Sequence, residues 1–274
     1  MGVLAAGVMG MVAILPVCAA LPTMTEKQWL GYFVGVENRA FRFGFTSEGA
    51  AQIIPMGKKG EPASNKLTIP VSFEVLETMP DGKVVSRRLQ PASLESAQPA
   101  TDKPRNVVIK GKVTGDASFE IFINEERGGF SLGGRLLEPG TFKNPLRFAI
   151  GLKIPDVYAN TKKDGDKKAE NAFEEKTKRD RLQLVWTDQK RVKQSLAERV
   201  DASSKEISGP GIAALQLELS AYDGKKIEVT ASENSSIALV NKPQSSLVEG
   251  FSMSWTADVA KDPEGKARLN FGMK

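Results

Sequence analysis

The strongest chemical signal in the sequence is a basic run between positions 176 and 193. This run holds seven Lys or Arg and two acidic residues, Asp180 and Asp188, so its local charge is +5. Such a density of positive charge favours an anionic polymer or lipid surface as partner. The candidate binding residues are Lys176, Lys178, Arg179, Arg181, Trp186, Lys190, Arg191 and Lys193.

Trp186 has two interpretations within this run. Its indole could stack on a sugar ring or a base. However, it alternates with Leu182 and Leu184, which is typical of a strand whose apolar face is buried. We favour the second interpretation and expect Trp186 to pack in the core.

The chain contains no histidine. Ser-His-Asp and Cys-His catalysis, histidine proton shuttles and histidine-ligated zinc are therefore excluded. The segment from Gly129 to Gly133 matches the G-x-S-x-G pattern around Ser131. A nucleophile elbow needs a following helix and a histidine base, so we interpret this segment as a glycine-containing β-strand.

The sequence predicts no metal site and no cofactor. Asp164, Asp166 and Glu175 occupy positions 1, 3 and 12 of a calcium-loop pattern, but Ala169 stands where that loop needs glycine. Gly209-Pro210-Gly211 resembles part of a dinucleotide-binding motif, yet the residues that follow alternate as a strand does.

Paired carboxylates are the remaining option for catalysis. Glu125 and Glu126 lie at the end of a predicted strand, and Asp156 follows another. Glycoside hydrolases use two such carboxyl groups. Adjacent residues of a strand face opposite ways, so Glu125 and Glu126 would not form a pair with each other. The sequence thus favours a non-catalytic protein, with a carboxylate-dependent glycan hydrolase as the alternative.

The elements that position these residues are mostly strands. Phe41, Phe43 and Phe45 alternate with small or polar residues, as do the apolar residues of 66–77 and 215–221. Gly115-Asp116 and Asp223-Gly224 are typical turn dipeptides. We predict a mostly β, antiparallel, β-sandwich-like fold.

Two segments interrupt the strand pattern. Residues 91–105 contain three prolines among small and polar residues, which predicts a linker between a first β unit at 24–100 and a second at 105–274. Residues 162–181 are charged at fourteen of twenty positions. They are predicted to form a solvated helix or a disordered insertion that projects from the sheet.

The N-terminus predicts export. Residues 1–25 carry no charge, residues 3–15 are almost wholly apolar, and small residues follow at 19 and 20, which is typical of a signal peptide over 1–20. Retention as a membrane anchor and lipidation at Cys18, the only cysteine, are the alternatives. Membrane attachment is expected only through an uncleaved N-terminus.

These observations predict an exported protein, periplasmic or extracellular and bacterial in origin, with a binding or scaffolding role at the cell envelope. Its net charge of +5 over 274 residues falls short of a dedicated nucleic-acid binder. The expected partner is an anionic envelope polymer or another envelope protein.

Overall fold

The computed structural model describes residues 21–158, 167–241 and 244–274. Within these ranges the chain is mostly β, with one α-helix, and its strands form one antiparallel sheet that curls into a half-barrel. The elements are β1 (Tyr32–Glu37), β2 (Phe41–Thr46), β3 (Ala51–Pro55), β4 (Ile69–Thr78), β5 (Val84–Arg87), β6 (Val107–Lys112), β7 (Ser118–Glu126), β8 (Gly129–Glu138), β9 (Leu146–Ile154), α1 (Lys167–Thr177), β10 (Arg181–Trp186), β11 (Arg191–Ser195), β12 (Gly209–Glu218), β13 (Lys226–Ala231), β14 (Ser235–Leu239), β15 (Phe251–Ala257) and β16 (Leu269–Met273).

The strand order combines local hairpins with distant pairings. The main path runs β1-β2-β3-β4-β9-β15-β14-β12-β13-β16-β8-β7-β6. Off this path, β5 pairs with β4, and β10 pairs with both β11 and β12. The antiparallel class predicted from alternation is therefore confirmed, and β10–β11 forms a hairpin at the margin of the sheet.

Aromatic residues fill the inside of the curl. Phe41 and Phe43 of β2 are fully buried, as the alternating pattern predicts. The Phe43 ring stacks on Phe130 of β8 with centroids 4.2 Å apart, and Phe41 meets Phe271 of β16 edge-on at 5.4 Å. Because β2 and β8 lie far apart along the strand path, these contacts show that the sheet folds back on itself around the core.

The predicted turns adopt left-handed backbone conformations. Gly115 and Asp116 have φ values of 97° and 61°, and Asp223 and Gly224 have 57° and 77°. Glycine adopts such values without strain and aspartate tolerates them. The turn dipeptides thus fix where two pairs of strands reverse.

The predicted linker is instead a strap, defined here as residues 89–106, that covers one edge of β6. The backbone N–H of Glu95 donates to the carbonyl of Lys110 at 3.0 Å, and the Lys110 N–H donates back to Glu95 at 2.9 Å. Further along, the side chain of Gln98 accepts from the Val108 N–H at 2.8 Å. The strap also contributes to the core, since Leu94 is 1% exposed.

The strap also reaches β1, at the opposite end of the strand path. Thr101 donates its N–H to the carbonyl of Phe33 and accepts from the N–H of Gly35, both at 2.9 Å. One irregular segment therefore hydrogen-bonds the two terminal strands of the path and holds the curl closed on that side.

The finer prediction of a β-sandwich in two units is not confirmed. Residues from both sides of the expected boundary share one hydrogen-bonded sheet, because β4 pairs with β9 over seven residue pairs from Val71–Leu152 to Glu77–Leu146. They also share one hydrophobic cluster. The composition of residues 91–105 carries no information about these pairings, because the pairings join residues that are distant in sequence.

The charged segment differs in part from its expectation. Its first residues, 162–166, lie outside the described part of the chain. The rest begins as α1, which is largely exposed but is anchored by Phe173, only 2% exposed. The Phe173 ring meets Tyr158 edge-on at 5.7 Å and carries the Arg199 guanidinium 5.0 Å from its centroid. The helix is therefore docked rather than projecting freely: besides Phe173, Thr177 is fully buried, and the Ser220 hydroxyl donates to the carbonyl of Lys176 at 2.8 Å.

Candidate functional site

The hairpin β10–β11 places three cations of the basic run on one face. Leu182 and Leu184 point into the core and are at most 1% exposed. Side chains alternate along a strand, so Arg181 points to the opposite, outer face. The register pairs Gln183 with Lys193 and Val185 with Arg191. Arg181, Arg191 and Lys193 therefore share the outer face, and all three are exposed.

Acidic residues on the neighbouring strands already have partners. Glu218 of β12 lies directly beside Arg181 in the register, but its carboxylate binds Lys226 at 2.8 Å. Glu228 of β13 binds Lys274 at 2.7 Å. Within the described ranges, Arg181, Arg191 and Lys193 form no salt bridge. Their charge is therefore available to an external anion.

The tight turn of the hairpin adds a fourth cation. Gln189 adopts the left-handed region with φ 69°, and the Asp188 carboxylate accepts from the backbone N–H of Lys190 at 3.0 Å. This contact fixes the turn and leaves the Lys190 ammonium exposed. We call Arg181, Lys190, Arg191 and Lys193 the hairpin patch.

A second group of cations surrounds the C-terminal end of α1. Lys176, Lys178 and Arg179 line a surface cavity of about 490 Å³ together with Val157 and Ser220. The ammonium of Lys178 lies 3.5 Å from the carboxylate of Glu175, in a pair that is largely exposed. Glu175 lines the same cavity, so the charged side chains around it, three cations and one carboxylate, sum to +2.

Asp180 links this group to the hairpin. Its side chain is 1% exposed and accepts from the Ser220 N–H at 2.9 Å and from the Ser220 hydroxyl at 3.4 Å. Burial raises the pKa of this carboxyl, and the two hydrogen bonds from Ser220 partly oppose that shift. Asp180, which the charge count included in the run, is thus a buried residue that links the end of α1 to Ser220, just after β12.

Trp186 lies apart from the hairpin patch. It follows Leu182 and Leu184 on the inner face, is half-buried, and packs against the core cluster. This placement agrees with the strand alternation and separates the indole from Arg191 and Lys193. The structure therefore brings the exposed cations of the run together in two adjacent groups, without Trp186.

The other motifs take structural positions. Ser131 lies within β8, is 3% exposed, and donates its hydroxyl to Glu126 at 2.9 Å. The strand interpretation of this G-x-S-x-G segment is confirmed. Asp156 accepts from the N–H of Tyr158 at 3.0 Å. Among the described residues, no three His, Cys, Asp or Glu side chains are grouped to hold a metal ion; Asp164 and Asp166 lie outside those residues.

Glu125 lines a different cavity, of about 410 Å³. Glu37 and Asp102 line it as well, as do Arg39 and Lys103. Glu37 accepts from the Arg42 guanidinium at 2.5 Å. Sequence reasoning did not find this grouping of carboxylates, because the strap and β1 bring its members together from distant parts of the chain.

Comparison with known proteins gives only a distant structural resemblance. No family model matches the chain, and no curated protein matches it. The crystal structure of the Slr1438 protein from Synechocystis sp. PCC 6803 is similar over 88% of this chain and 94% of that one, with 10% sequence identity and a TM-score of 0.44. Among the helical residues described, none belongs to a helix long and apolar enough to cross a membrane.

Proposed function

We propose that this protein is a non-catalytic binding or scaffolding protein of the cell envelope that takes an anionic partner at the hairpin patch. One observation carries the proposal: four exposed cations cluster on one hairpin, whereas Glu218 of β12 and Glu228 of β13 are already paired with lysines. Unpaired surface charge of one sign attracts the opposite sign over about 8 Å at physiological salt.

The proposed location follows from the apolar N-terminus. Residues 1–20 lie outside the described part of the chain, and their composition supports a signal peptide. We take the mature protein to be exported and bacterial, in the periplasm or outside the cell. We also propose a sandwich-like core, in which two parts of the curled sheet face each other across Phe43 and Phe130.

The test measures binding to a defined polyanion. Dextran sulfate is titrated against the protein, and the triple variant Lys190→Ser, Arg191→Ser, Lys193→Ser is compared with it. We expect the variant to bind at least about tenfold more weakly, because three cations at roughly 0.5 to 1 kcal/mol each give that factor. Binding should also weaken as salt rises.

A matched variant separates this patch from net charge. Lys58, Lys59 and Lys66 are exposed on the connection between β3 and β4, and their replacement by Ser removes the same charge elsewhere. This control should retain nearly all of the affinity. Equal losses in the two triple variants, or binding that ignores salt, would show that the hairpin patch has no special role.

A glycan hydrolase is the second candidate. The cavity lined by Glu37, Asp102 and Glu125 supports it, since hydrolysis of a glycosidic bond needs two carboxyl groups at one site. Under this alternative, Glu125→Gln should abolish release of reducing ends from an envelope glycan while the protein remains folded. Release that is unaffected by this variant would eliminate Glu125 as one of the pair.

A further inference from the structure

The edge strands of the sheet differ in whether their outer backbone groups are hydrogen-bonded. The strap hydrogen-bonds the outer edge of β6 through Glu95 and Gln98, and it reaches β1 through Thr101. By contrast, β11 pairs with β10 alone among the described strands. An uncovered strand edge offers a row of backbone donors and acceptors on which another strand can pair.

The hydrogen-bond register shows which groups face this open edge. Trp186 donates its N–H to the carbonyl of Lys190, and Leu196 donates to Asp180. Hydrogen-bonded pairs alternate along an antiparallel ladder, so Val192 and Gln194 direct their backbone groups toward β10. The N–H and C=O groups of Arg191 and Lys193 therefore point outward, and no described residue bonds to them.

The same two residues place their side chains on the outer face. A strand added at this edge would set one residue directly opposite Arg191 and another, two positions along, opposite Lys193. Both would project on the cationic face. The residue between them would project on the inner face beside Val192, which is half-buried.

We propose that β11 binds an extended acidic segment of a partner protein by strand addition. The segment carries acidic side chains opposite Arg191 and Lys193 and a β-branched apolar residue between them. Opposite charges directly across a strand pair are stabilising and like charges are destabilising, so the edge selects acidic strands and disfavours pairing with a second copy of itself. This inference rests on the proposed function and specifies the partner of the same patch.

The probe is a synthetic peptide of about seven residues with alternating glutamate and valine. Its control is a peptide of the same composition with the glutamates clustered at one end. Binding is measured by fluorescence anisotropy, and exchange of backbone amides is followed by NMR. Strand addition should protect the amides of Arg191 and Lys193, and the alternating peptide should bind more tightly than the clustered one.

Two variants of one residue separate backbone pairing from charge. Lys193→Ser and Lys193→Pro both remove the ammonium, but only proline also removes the outward N–H. Because that N–H does not bond β10, proline is compatible with the existing ladder, which circular dichroism checks. Loss of one hydrogen bond should make Lys193→Pro about threefold to tenfold weaker than Lys193→Ser toward the alternating peptide.

The outcomes distinguish the inference from the proposed function. If the two peptides bind equally, the two amides stay unprotected, or the Ser and Pro variants lose equal affinity, strand addition is wrong. In that case, patch-dependent binding of dextran sulfate still supports an anionic partner. If dextran sulfate binding is also independent of the patch, both proposals fall together.

Discussion

Replacing Leu94 with alanine tests whether the strap is a structural part of the sheet. Leu94 is 1% exposed, and its methyl groups lie against Gly49 and Gly111, where an added Cβ would come within 3.0 and 2.9 Å of them. The leucine thus fills space that two glycines leave open. Truncation at such a site should create a cavity that those neighbours cannot fill.

The size of the expected stability loss follows from the burial of Leu94 and from the inability of its neighbours to fill the cavity. Burying a leucine side chain contributes about 1.5 to 3 kcal/mol, and Leu→Ala changes in cores cost about 2 to 5 kcal/mol once the cavity is included. We expect Leu94→Ala to lower the free energy of unfolding by about 3 to 4 kcal/mol. A loose linker would show almost no change.

The assay is urea unfolding with amide exchange at one reporter. Leu30, which is 71% exposed, provides the matched control, and Leu30→Ala should change stability by less than about 0.5 kcal/mol. Because Lys110 donates its N–H to Glu95, loosening the strap should also speed exchange of that amide. A cost below about 1 kcal/mol, with Lys110 exchange unchanged, would refute the structural role.

Two further changes test the packing and electrostatics around the strap and the site. Gly111→Ala should destabilise the fold by about 1 to 3 kcal/mol in thermal unfolding, because its Cβ would lie 2.8 Å from the Phe119 ring; unchanged stability would contradict that packing. The raised pKa of Asp180 means that the folded state holds its proton more tightly than the unfolded state, so stability falls as pH rises through the window above 3.8. The free energy of unfolding of Asp180→Asn, relative to that of wild type, should therefore be higher at pH 7 than at pH 3, which urea unfolding at each pH measures. A difference that is the same at both pH values would contradict the raised pKa of Asp180.

Local patterns predicted the parts of the fold that depend on local geometry. Alternation identified Phe41, Phe43 and Phe45 as one buried face, and the turn dipeptides at Asp116 and Asp223 located two chain reversals. Strand partners were not predictable in this way. The pairing of β4 with β9 joins residues 69 to 81 positions apart, from Glu77–Leu146 to Val71–Leu152, and no short-range signal specifies it.

The strap shows why composition alone misassigned a segment. Prolines and polar residues predict irregular backbone, and the backbone is irregular. Its order comes from hydrogen bonds made by individual groups, such as the side chain of Gln98 to Val108 and the backbone of Glu95 to Lys110. These contacts have no periodicity, so a search for helix or strand patterns could not detect them.

The sequence predicted which charged residues make up the candidate site, but it did not predict how they are arranged in space. Counting charges singled out the cations of the run, yet it treated Asp180 as one more acidic residue among them. Its carboxylate is buried and accepts its hydrogen bonds from Ser220, forty positions later in the chain. Asp180 lies between the two groups of cations, one at the end of α1 and the other on the β10–β11 hairpin.

The edges of β6 and β11 are thus protected by two physically different means. The strap satisfies the backbone of β6 with hydrogen bonds, which exclude any added strand whatever its sequence. At β11 the protection comes from Arg191 and Lys193, and charge repels only strands that are themselves positive. An edge guarded by charge alone is therefore selective, and its selectivity should disappear as the screening length shortens to about 3 Å near 1 M salt.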